Sequence, residues 1–476
     1  MNAKSWRNNL TVALTTLCAV VLLVSCAPPE PAEVEVVVTQ EVVVTEIVEV
    51  EGEEVVVTQV VEVTPEPEVK EPVTIKWFMR WDNTRVEEVA KPTIEVFEHV
   101  YPWITVEFEN IGSGDEYYQK LQTMMAADEM PDVFYPATYK AYAYGSKGAI
   151  LAIDDLMARD GIDTSAFDQQ ILDLYKVEGK QMCMPIDTAN LAVFYNKDLF
   201  DAAGVAYPEP GWTWDEFLAT AEALTLDTDG DGITDQFGVD DDLRNYWPLM
   251  VWANTGHNIF DDARNPTEFL ITDEESVASI QFVADLIVDS NVMPSTDQVA
   301  DLGDMFAAGK AAMQVVGHWR VPRYTTETDF NWDIAPLPLG KTGAPVNRAD
   351  GSCFAIAADS EHVEEAWLFV KFLSGPGSLG VEKLLDLQQM VPAIVEWQND
   401  PKFLTSHPMG IDKTAFIQGK EFYGMYDPIH PSYDEWKAIW QQELGEVWLG
   451  NATAQEAVDL MVPQVENMLE NLADYE

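Results

Sequence analysis

Residues that could bind a metal ion stand in one short loop. Asp227, Asp229, Asp231 and Asp235 occupy positions 1, 3, 5 and 9 of this loop, and Gly232 occupies position 6. The spacing is typical of a calcium loop, because Ca²⁺ takes about six to eight oxygen ligands and the glycine permits a sharp turn. Position 12 is a glycine and not the usual bidentate glutamate, so two interpretations stay open: a structural Ca²⁺ site, or a solvated acidic turn.

Aromatic and short polar side chains crowd together just after this loop. Tyr246, Trp247, Trp252, Asn254 and His257 follow one another closely. Aromatic faces stack on the apolar face of a sugar ring, and short polar groups bind its hydroxyls. The run therefore favours a pocket for an uncharged, hydroxyl-rich ligand. The chain holds 15 Trp and 16 Tyr, so the alternative for any single ring is a place in the core.

Composition limits the class of protein. The chain has 476 residues and a formal net charge of -55, from 82 acidic and 27 basic residues. Such a charge repels phosphate backbones and anionic headgroups, so we expect no nucleic-acid partner. The length suits two medium-sized cores, which predicts two lobes. No HExxH spacing or GxSxG elbow occurs, so we expect a protein that is not an enzyme and that requires no cofactor beyond the Ca²⁺ left open above.

Residues 1–25 have the character of a secretion signal. Lys4 and Arg7 form a positive segment, and the apolar run at 10–24 is short for a membrane span. Residues 23–26, LVSC, resemble a bacterial lipobox, in which the cysteine is acylated and becomes the mature N-terminus. We therefore expect Cys26 to be lipidated and to hold the protein on the outer face of the cell membrane. The alternative is an ordinary signal peptide with an incidental cysteine.

Residues 26–72 are predicted to form a tether. The element VVVT recurs at 36–39, 42–45 and 55–58 among glutamates, and the run ends in alternating Pro and Glu. We expect an extended spacer that its like charges stretch. The alternative is a strand that pairs between neighbouring molecules, which the valines favour and the glutamates oppose.

Hydrophobic patterns place the folded body from residue 73 onward. Strands are predicted at 74–81, 104–108 and 131–135 with helices between them, which indicates βαβ units and a mostly parallel sheet. Ligands bind beyond the carboxyl ends of the strands in such sheets. Arg80 and Trp81 end the first strand, and Thr138 and Tyr139 follow the third, so these four residues are candidate ligand contacts.

Two longer segments resemble one known family. A strand ending FYNKDLF, an AAG turn and WTWDEF at the start of a helix run from residue 194 to 217, where Thr213 and Glu216 form a capping box. The second segment, FAAGKAAMQVVGHWR, spans residues 306–320. Both are similar to the sugar-binding branch of the bacterial extracellular solute-binding proteins (family 1) of ABC importers, and the resemblance covers residues 73–472.

The resemblance implies an α/β fold of the periplasmic-binding-protein-like type II. This fold has two lobes, each with a mostly parallel sheet flanked by helices, and a chain that crosses between the lobes more than once. We expect residues 73–187 and 336–375 in the first lobe and residues 188–335 and 376–476 in the second. The crossings are expected near residues 184–187 and 333–338.

Further candidate contacts follow from the resemblance. In the family an indole in a Gly-x-Trp element lies against the sugar, and Trp319 occupies that place. The segment that contains Trp252 and Asn254 resembles the one that frames the cleft. Tyr423 is expected near the cleft mouth.

Three candidates lie near the crossings. Asp187 stands at the first crossing, where its alternative role is a turn or a helix cap. Asp350 and Gly351 precede a strand, where a small residue lets the backbone approach a ligand. Cys183 and Cys353 also lie at crossing strands, and the sequence leaves open whether they form a disulfide or are two buried apolar residues.

The sequence thus predicts a substrate-binding lipoprotein of an ABC transporter. It would bind an uncharged mono- or oligosaccharide between the lobes and deliver it to the permease transmembrane subunits, as a monomer. Two alternatives remain: a surface glycan-degrading enzyme, and a binding protein for another solute such as a polyol phosphate or a peptide.

Overall fold

A computed structural model describes residues 40–50, 53–63, 70–112, 114–296, 298–299, 303–386, 390–418 and 429–472. The chain divides into two compact units, Met1–Lys70 and Glu71–Glu476. The signal segment, Cys26 and Tyr423 lie outside the described residues, so the expectations about them stay predictions.

The first unit contains an antiparallel hairpin of strands β1 (Gln40–Val50) and β2 (Glu53–Val63). Residues 40–50 and 53–63, expected as part of an extended spacer, are therefore paired with each other instead. The physical reason is that the repeats at 42–45 and 55–58 supply each other with a partner strand of high β-propensity, so that Thr45 lies opposite Thr58. The pairing is within one chain.

The second unit is the folded body. In chain order its strands are β3 (Val73–Met79), β4 (Ile104–Asn110), β5 (Val133–Phe134), β6 (Lys176–Val177), β7 (Lys180–Gln181), β8 (Cys183–Pro185), β9 (Asp187–Thr188), β10 (Leu191–Asn196), β11 (Phe237–Val239), β12 (Ala311–Gly317), β13 (Trp332–Ala335), β14 (Cys353–Ile356) and β15 (Val391–Pro392).

The sheet of the first lobe has the order β4-β3-β5-β14-β8 in the described residues. Strand β3 is parallel to β4 and to β5, but β14 is antiparallel to both β5 and β8. The sheet is therefore mixed and not mostly parallel as expected. The cause is the return of the chain from the other lobe, because β14 enters between two earlier strands in the opposite direction.

The sheet of the second lobe has the order β11-β12-β10-β13 in the described residues. Only the pair β11 and β12 is parallel, and β10 runs antiparallel to both of its neighbours. This sheet is mixed for the same reason, since β10 is the strand on which the chain first enters the lobe.

Helices cover both sheets. In chain order they are Asn83–Arg85, Val86–Ala90 (a π-helical turn), Lys91–Val100, Gly114–Ala126, Thr138–Ser146, Asp154–Arg159, Thr164–Ala166 (3₁₀), Gln169–Leu174, Lys197–Ala203, Trp214–Ala223, Asp241–Tyr246 (3₁₀), Trp247–Thr255, Glu274–Val288, His318–Arg320 (3₁₀), Val321–Glu327, Val363–Ser374, Leu379–Asp386, Val395–Gln398, Pro401–Leu404, Thr414–Ile417, Tyr433–Trp448 and Ala454–Glu470. The capping box predicted at Thr213 and Glu216 is confirmed: Glu216 N donates to Thr213 Oγ1 at 3.3 Å, and Thr213 N donates to the Glu216 carboxylate at 2.7 Å.

The chain first passes between the lobes from β8 through β9 to β10. It returns near residues 347–352, because β13 still belongs to the second sheet and Leu337 and Val346 pack in the second core. The return therefore lies about ten residues beyond the expected one at 333–338. The two passages are bonded to each other, since Ala189 N donates to Asp350 O at 2.8 Å and Ile186 N donates to Ser352 O at 3.0 Å.

Residues 379–386 and 390–398 correct the expected lobe boundaries. They were expected in the second lobe, but the helix Leu379–Asp386 packs on the helices Lys91–Val100 and Val363–Ser374 of the first, and Val391–Pro392 pairs with β9. Farther on, the helix Thr414–Ile417 packs on β10, where the rings of Phe416 and Phe194 lie 6.0 Å apart. The chain thus approaches the second lobe again before residue 418.

A disulfide joins Cys183 and Cys353, whose Cα atoms are 5.8 Å apart. It links β8, the strand before the first passage, to β14, the strand after the second, and so resolves the alternative left open by the sequence. Across the described residues, no helix has both the length and the apolar character needed to cross a membrane.

Candidate inter-lobe binding site

Asp187 lies where the two passages of the chain meet. Its carboxylate accepts the backbone N–H of Ser352 at 2.7 Å, and its side chain is almost completely buried. Gly351 is needed beside it, because an added Cβ would lie 2.4 Å from the carbonyl oxygen of Asp187. The close approach at Gly351 is to the other passage of the chain, and its expected approach to a ligand stays a prediction.

Burial sets the charge state of Asp187. Desolvation raises the pKa of its carboxyl to about 6, against the opposing effects of the Ser352 N–H and the positive charges of Arg85 and Arg80. The group is therefore ionised at neutral pH at a cost in stability. A buried anion of this kind is a strong hydrogen-bond acceptor for a hydroxyl group.

His318 of the second lobe faces Asp187 of the first. Its Nε2 lies 3.9 Å from Asp187 Oδ2, and the side chain is 3% exposed. Burial and the neighbouring cations Arg85, Lys413 and Arg348 lower the pKa of His318 well below its ordinary value, so the ring is neutral. Its Nδ1 is buried without a hydrogen-bond partner among the described residues, which is costly unless a ligand or water supplies one.

Trp319 connects the two cores. It is half-buried and packs against both hydrophobic clusters, and its ring lies so close over Gly317 that any Cβ there would collide with it. Arg85 of the first lobe donates from Nη2 to the Trp319 carbonyl at 3.5 Å. The backbone of Trp319 therefore lies at the junction of the lobes, next to His318, and the expected contact of its indole with a sugar stays a prediction.

The positive charges around this junction are largely neutralised. Arg348 forms an ion pair with Asp350, and Arg320 lies 3.3 Å from the Asp304 carboxylate. Arg80 instead lies over the ring of Tyr135, with its guanidinium carbon 5.3 Å from the ring centroid. Two of these three arginines thus have carboxylate partners, whereas Arg80 has none among the described residues.

Thr138 supports the backbone at the junction. Its hydroxyl accepts the Gly351 N–H at 3.1 Å and lies 3.3 Å from the hydroxyl of the buried Tyr175. Tyr139 points elsewhere: its ring stacks on Tyr433 of the second lobe, with centroids 4.1 Å apart. Together with the ion pair between Lys140 and Asp434 at 2.7 Å, this stack joins the two lobes directly.

Two predicted contacts lie in the second lobe without a described contact to Asp187. Asn254 donates to the Ser279 hydroxyl at 3.0 Å and lines a separate cavity of about 330 Å³. Trp252 is half-buried against the core of the second lobe. Trp81 is 2% exposed and packs among the core rings of the first lobe, where it lies 5.9 Å from Tyr135, a hydrogen-bond partner of Asp187.

Sequence reasoning missed a network of carboxylates in the second lobe. Burial raises the pKa of Asp240 to about 9 and that of Asp242 to about 6, with neighbouring aspartates adding to both effects. Asp242 accepts from Gln314 Nε2 at 2.7 Å, and Asp304 accepts from Arg323 Nη1 at 2.7 Å. Nothing in the spacing of Asp240 to Asp242 along the sequence shows that this run turns inward.

The acidic loop keeps the geometry of a candidate cation site. Ligand oxygens of Asp227, Asp229 and Asp235 lie within 4.8 Å of one another, and all three residues are exposed. Asp227 accepts the backbone N–H groups of Gly230 at 2.7 Å and Gly232 at 2.8 Å. Asp231 is not part of the cluster, so the described residues bring together three of the four expected carboxylates.

Comparisons with known proteins agree with this architecture. A protein of Brucella abortus described as a binding protein is 27% identical over 293 residues, which are 60% of this chain and 67% of that protein. The multiple sugar-binding protein of Streptococcus mutans is 24% identical over 323 residues, or 63% of this chain and 71% of that protein.

One similar solved structure is the ABC substrate-binding protein Lmo0181 from Listeria monocytogenes in complex with cycloalternan. Its TM-score is 0.74 at 24% sequence identity, and the match covers 85% of this chain and 100% of that chain. This likeness confirms the two-lobed type II fold. Residues 82–379, more than half of the chain, match the model of the bacterial extracellular solute-binding protein family. The chain therefore belongs to the bacterial extracellular solute-binding proteins, which act outside the cytoplasm.

Proposed function

We propose that this protein binds an uncharged mono- or oligosaccharide between its lobes and delivers it to an ABC permease. The observation that carries the proposal is the meeting of Asp187 and His318 from opposite lobes, both buried, with the His318 Nδ1 lacking a partner among the described residues. An ionised carboxylate and a neutral imidazole suit hydroxyl groups, which both donate and accept hydrogen bonds.

The charge balance supports a neutral ligand. Arg348 and Arg320 already have carboxylate partners, and Arg80 lies against a tyrosine ring. A phosphate group needs cations that are available to it, because replacing an existing ion pair gains little. A polyol phosphate is therefore a weaker alternative than a sugar.

Relatives give independent support for a carbohydrate. One is named as a multiple sugar-binding protein, and a structural neighbour holds cycloalternan. Members of the family are solute-binding proteins, so a glycan-degrading enzyme is also the weaker alternative. Release of products from an oligosaccharide by the purified protein would establish the enzymatic alternative instead.

Ligand capture is proposed to occur by closure of the lobes. Contacts from Asp187 on one lobe and His318 and Trp319 on the other favour the closed state over the open one, and the permease recognises the closed shape. Lipidated Cys26 would hold the protein, as a monomer, on the outer face of the cell membrane, with the segment up to residue 72 as its tether. A structural Ca²⁺ in the loop at Asp227 is proposed as an additional stabilising ion, supported by the three clustered carboxylates.

A thermal-shift screen of neutral saccharides tests the proposal, since a ligand that binds only the folded state raises the melting temperature. Trp319→Ala should remove the shift caused by the best saccharide. Trp440→Ala is the matched control, because Trp440 is also half-buried but belongs to the second core away from the lobe junction. An equal loss in both variants, or no shift with any saccharide, would contradict the proposal.

A further inference from the structure

A second cavity lies between the lobes, lined by none of the residues assigned to the saccharide. Its volume is about 770 Å³, within the range of small-molecule sites. The first lobe contributes Tyr142 and the hairpin of β6 and β7, and the second contributes Arg264, Asn265 and His430. Arg264 Nη2 donates to the carbonyl oxygen of Asp173, so the two walls touch at one edge of the cavity.

Arg264 is unusual in a chain with so many acids. Among the arginines in the described residues, Arg264 and Arg80 alone have no carboxylate within 4.0 Å, and Arg80 already lies against the rings of Tyr118 and Tyr135. The Arg264 Nε is also buried without a hydrogen-bond partner there. A guanidinium that lines a cavity and lacks a carboxylate is suited to bind one from a ligand.

The opposite wall adds a second cation. Lys180 of β7 is exposed and has no ion pair in the described part of the chain, whereas Lys176 is already 2.5 Å from the Asp173 carboxylate. Glu178 is the remaining acid of the wall among the described residues, and there the cations exceed the anions by one once Lys176 and Asp173 are paired. Charges elsewhere on the protein are screened beyond about 8 Å at physiological salt.

Glu178 narrows the chemistry of the ligand. It occupies a left-handed backbone conformation with φ of 50°, and with Gly179 at 78° it forms the tight turn between β6 and β7. A non-glycine residue there is strained, and such strain persists where the side chain has a role. Its carboxylate would repel a compact dianion such as phosphate but would accept hydrogen bonds from sugar hydroxyls.

We infer that this cavity binds an acidic sugar whose carboxylate pairs with Arg264 and Lys180 and whose hydroxyls bond to Glu178. Because the cations come from opposite lobes, a bound carboxylate bridges them and favours closure. The site is separate from the one proposed for the neutral saccharide, and its occupancy does not depend on Trp319.

Titration calorimetry with glucuronate tests the inference, with glucose, acetate and inorganic phosphate as comparison ligands at equal ionic strength. Glucuronate should bind saturably and more tightly than the other three. Arg264→Gln and Lys180→Gln should each weaken it by about tenfold, the loss expected for one charge-assisted hydrogen bond. Lys310→Gln is the matched control, because it removes one exposed charge that does not line the cavity.

Four results would overturn the inference. If glucuronate shows no saturable binding, the cavity does not bind an acidic sugar. If phosphate binds more tightly than glucuronate, the assignment of the site to a carboxylate is wrong. Equal weakening by Lys310→Gln would show only a general charge effect. Loss of glucuronate binding in Trp319→Ala would place the acidic sugar at the site proposed for the neutral saccharide. That result would contradict the second site without contradicting the proposal for the neutral saccharide.

Discussion

Replacing Asp187 by Asn should make the protein more stable and a poorer binder. Burial raises the pKa of Asp187 from its ordinary value of 3.8 to about 6, so keeping it ionised above pH 6 costs about 3 kcal/mol of folding free energy. Asparagine is neutral and retains an oxygen to accept the Ser352 N–H. For a body of about 400 residues, a gain of this size raises the melting temperature by about 3 to 4 °C at pH 7.5.

The pH dependence identifies the cause of this gain. A raised acid pKa gives the wild type stability that is fully present below pH 4 and is lost as the pH rises to about 6. The advantage of Asp187→Asn should therefore be absent at pH 4 and complete above pH 6. Burial and nearby cations also lower the pKa of His318, which opposes its protonation as the pH falls.

Differential scanning fluorimetry between pH 4 and pH 8 measures the effect on both proteins, and calorimetry with the best saccharide measures binding. We expect the more stable variant to bind at least about tenfold more weakly, because a charged acceptor is lost. A variant less stable than the wild type at pH 7.5 would refute the reasoning. So would a stability difference that is the same at pH 4 and pH 7.5.

Three further outcomes are expected elsewhere in the molecule. The double variant Cys183→Ala/Cys353→Ala should lose up to about 5 kcal/mol in denaturant unfolding, because the disulfide closes a loop of 170 residues, and an unchanged midpoint would contradict this. Asp434→Asn should destabilise the protein by about 1 to 3 kcal/mol, because it leaves the Lys140 side chain, which is 7% exposed, without its carboxylate partner. Lys140→Met should destabilise the protein less, and equal effects of the two variants in thermal unfolding would contradict a role for burial of the lysine. Ca²⁺ should raise the melting temperature of the wild type but not of Asp227→Asn, and no response in the wild type would leave a solvated acidic turn.

Local signals in the sequence predicted local structure well. The capping box of Thr213 and Glu216 forms as expected, because its hydrogen bonds join residues three positions apart. The strands expected near residues 74, 104 and 131 form close to their expected bounds. These elements depend on neighbours in the chain, so the pattern of residue types contains the information needed.

Pairings over long distances were predicted less well. Whether Cys183 and Cys353 are bonded depends on β8 and β14 becoming neighbours, which the sequence does not reveal without the fold. The mixed sheets have the same origin, because the direction of β14 depends on where the chain returns from the other lobe. That return lies later than expected, since the run at 333–338 is a strand end within the second lobe.

The sequence indicates the position of a candidate site residue along the chain, but not the direction in which its side chain points. Asp187 lies at the lobe junction because it stands in a crossing segment, and Trp319 follows strand β12, whose end pairs with the start of β10 beside that segment. Trp81 and Asn254 have the right residue types, but their side chains face a core and a separate cavity. The sequence does not show which way His318 faces, and only the three-dimensional structure reveals its ring opposite Asp187.

Hydrogen exchange with and without the best neutral saccharide tests the central claim most directly. We predict that the ligand protects backbone amides on both lobes together, at 186–190 and 350–352 near Asp187 and at 317–320 around Trp319. Protection confined to one lobe, or centred on the cavity at Asn254, would contradict a ligand held between the lobes.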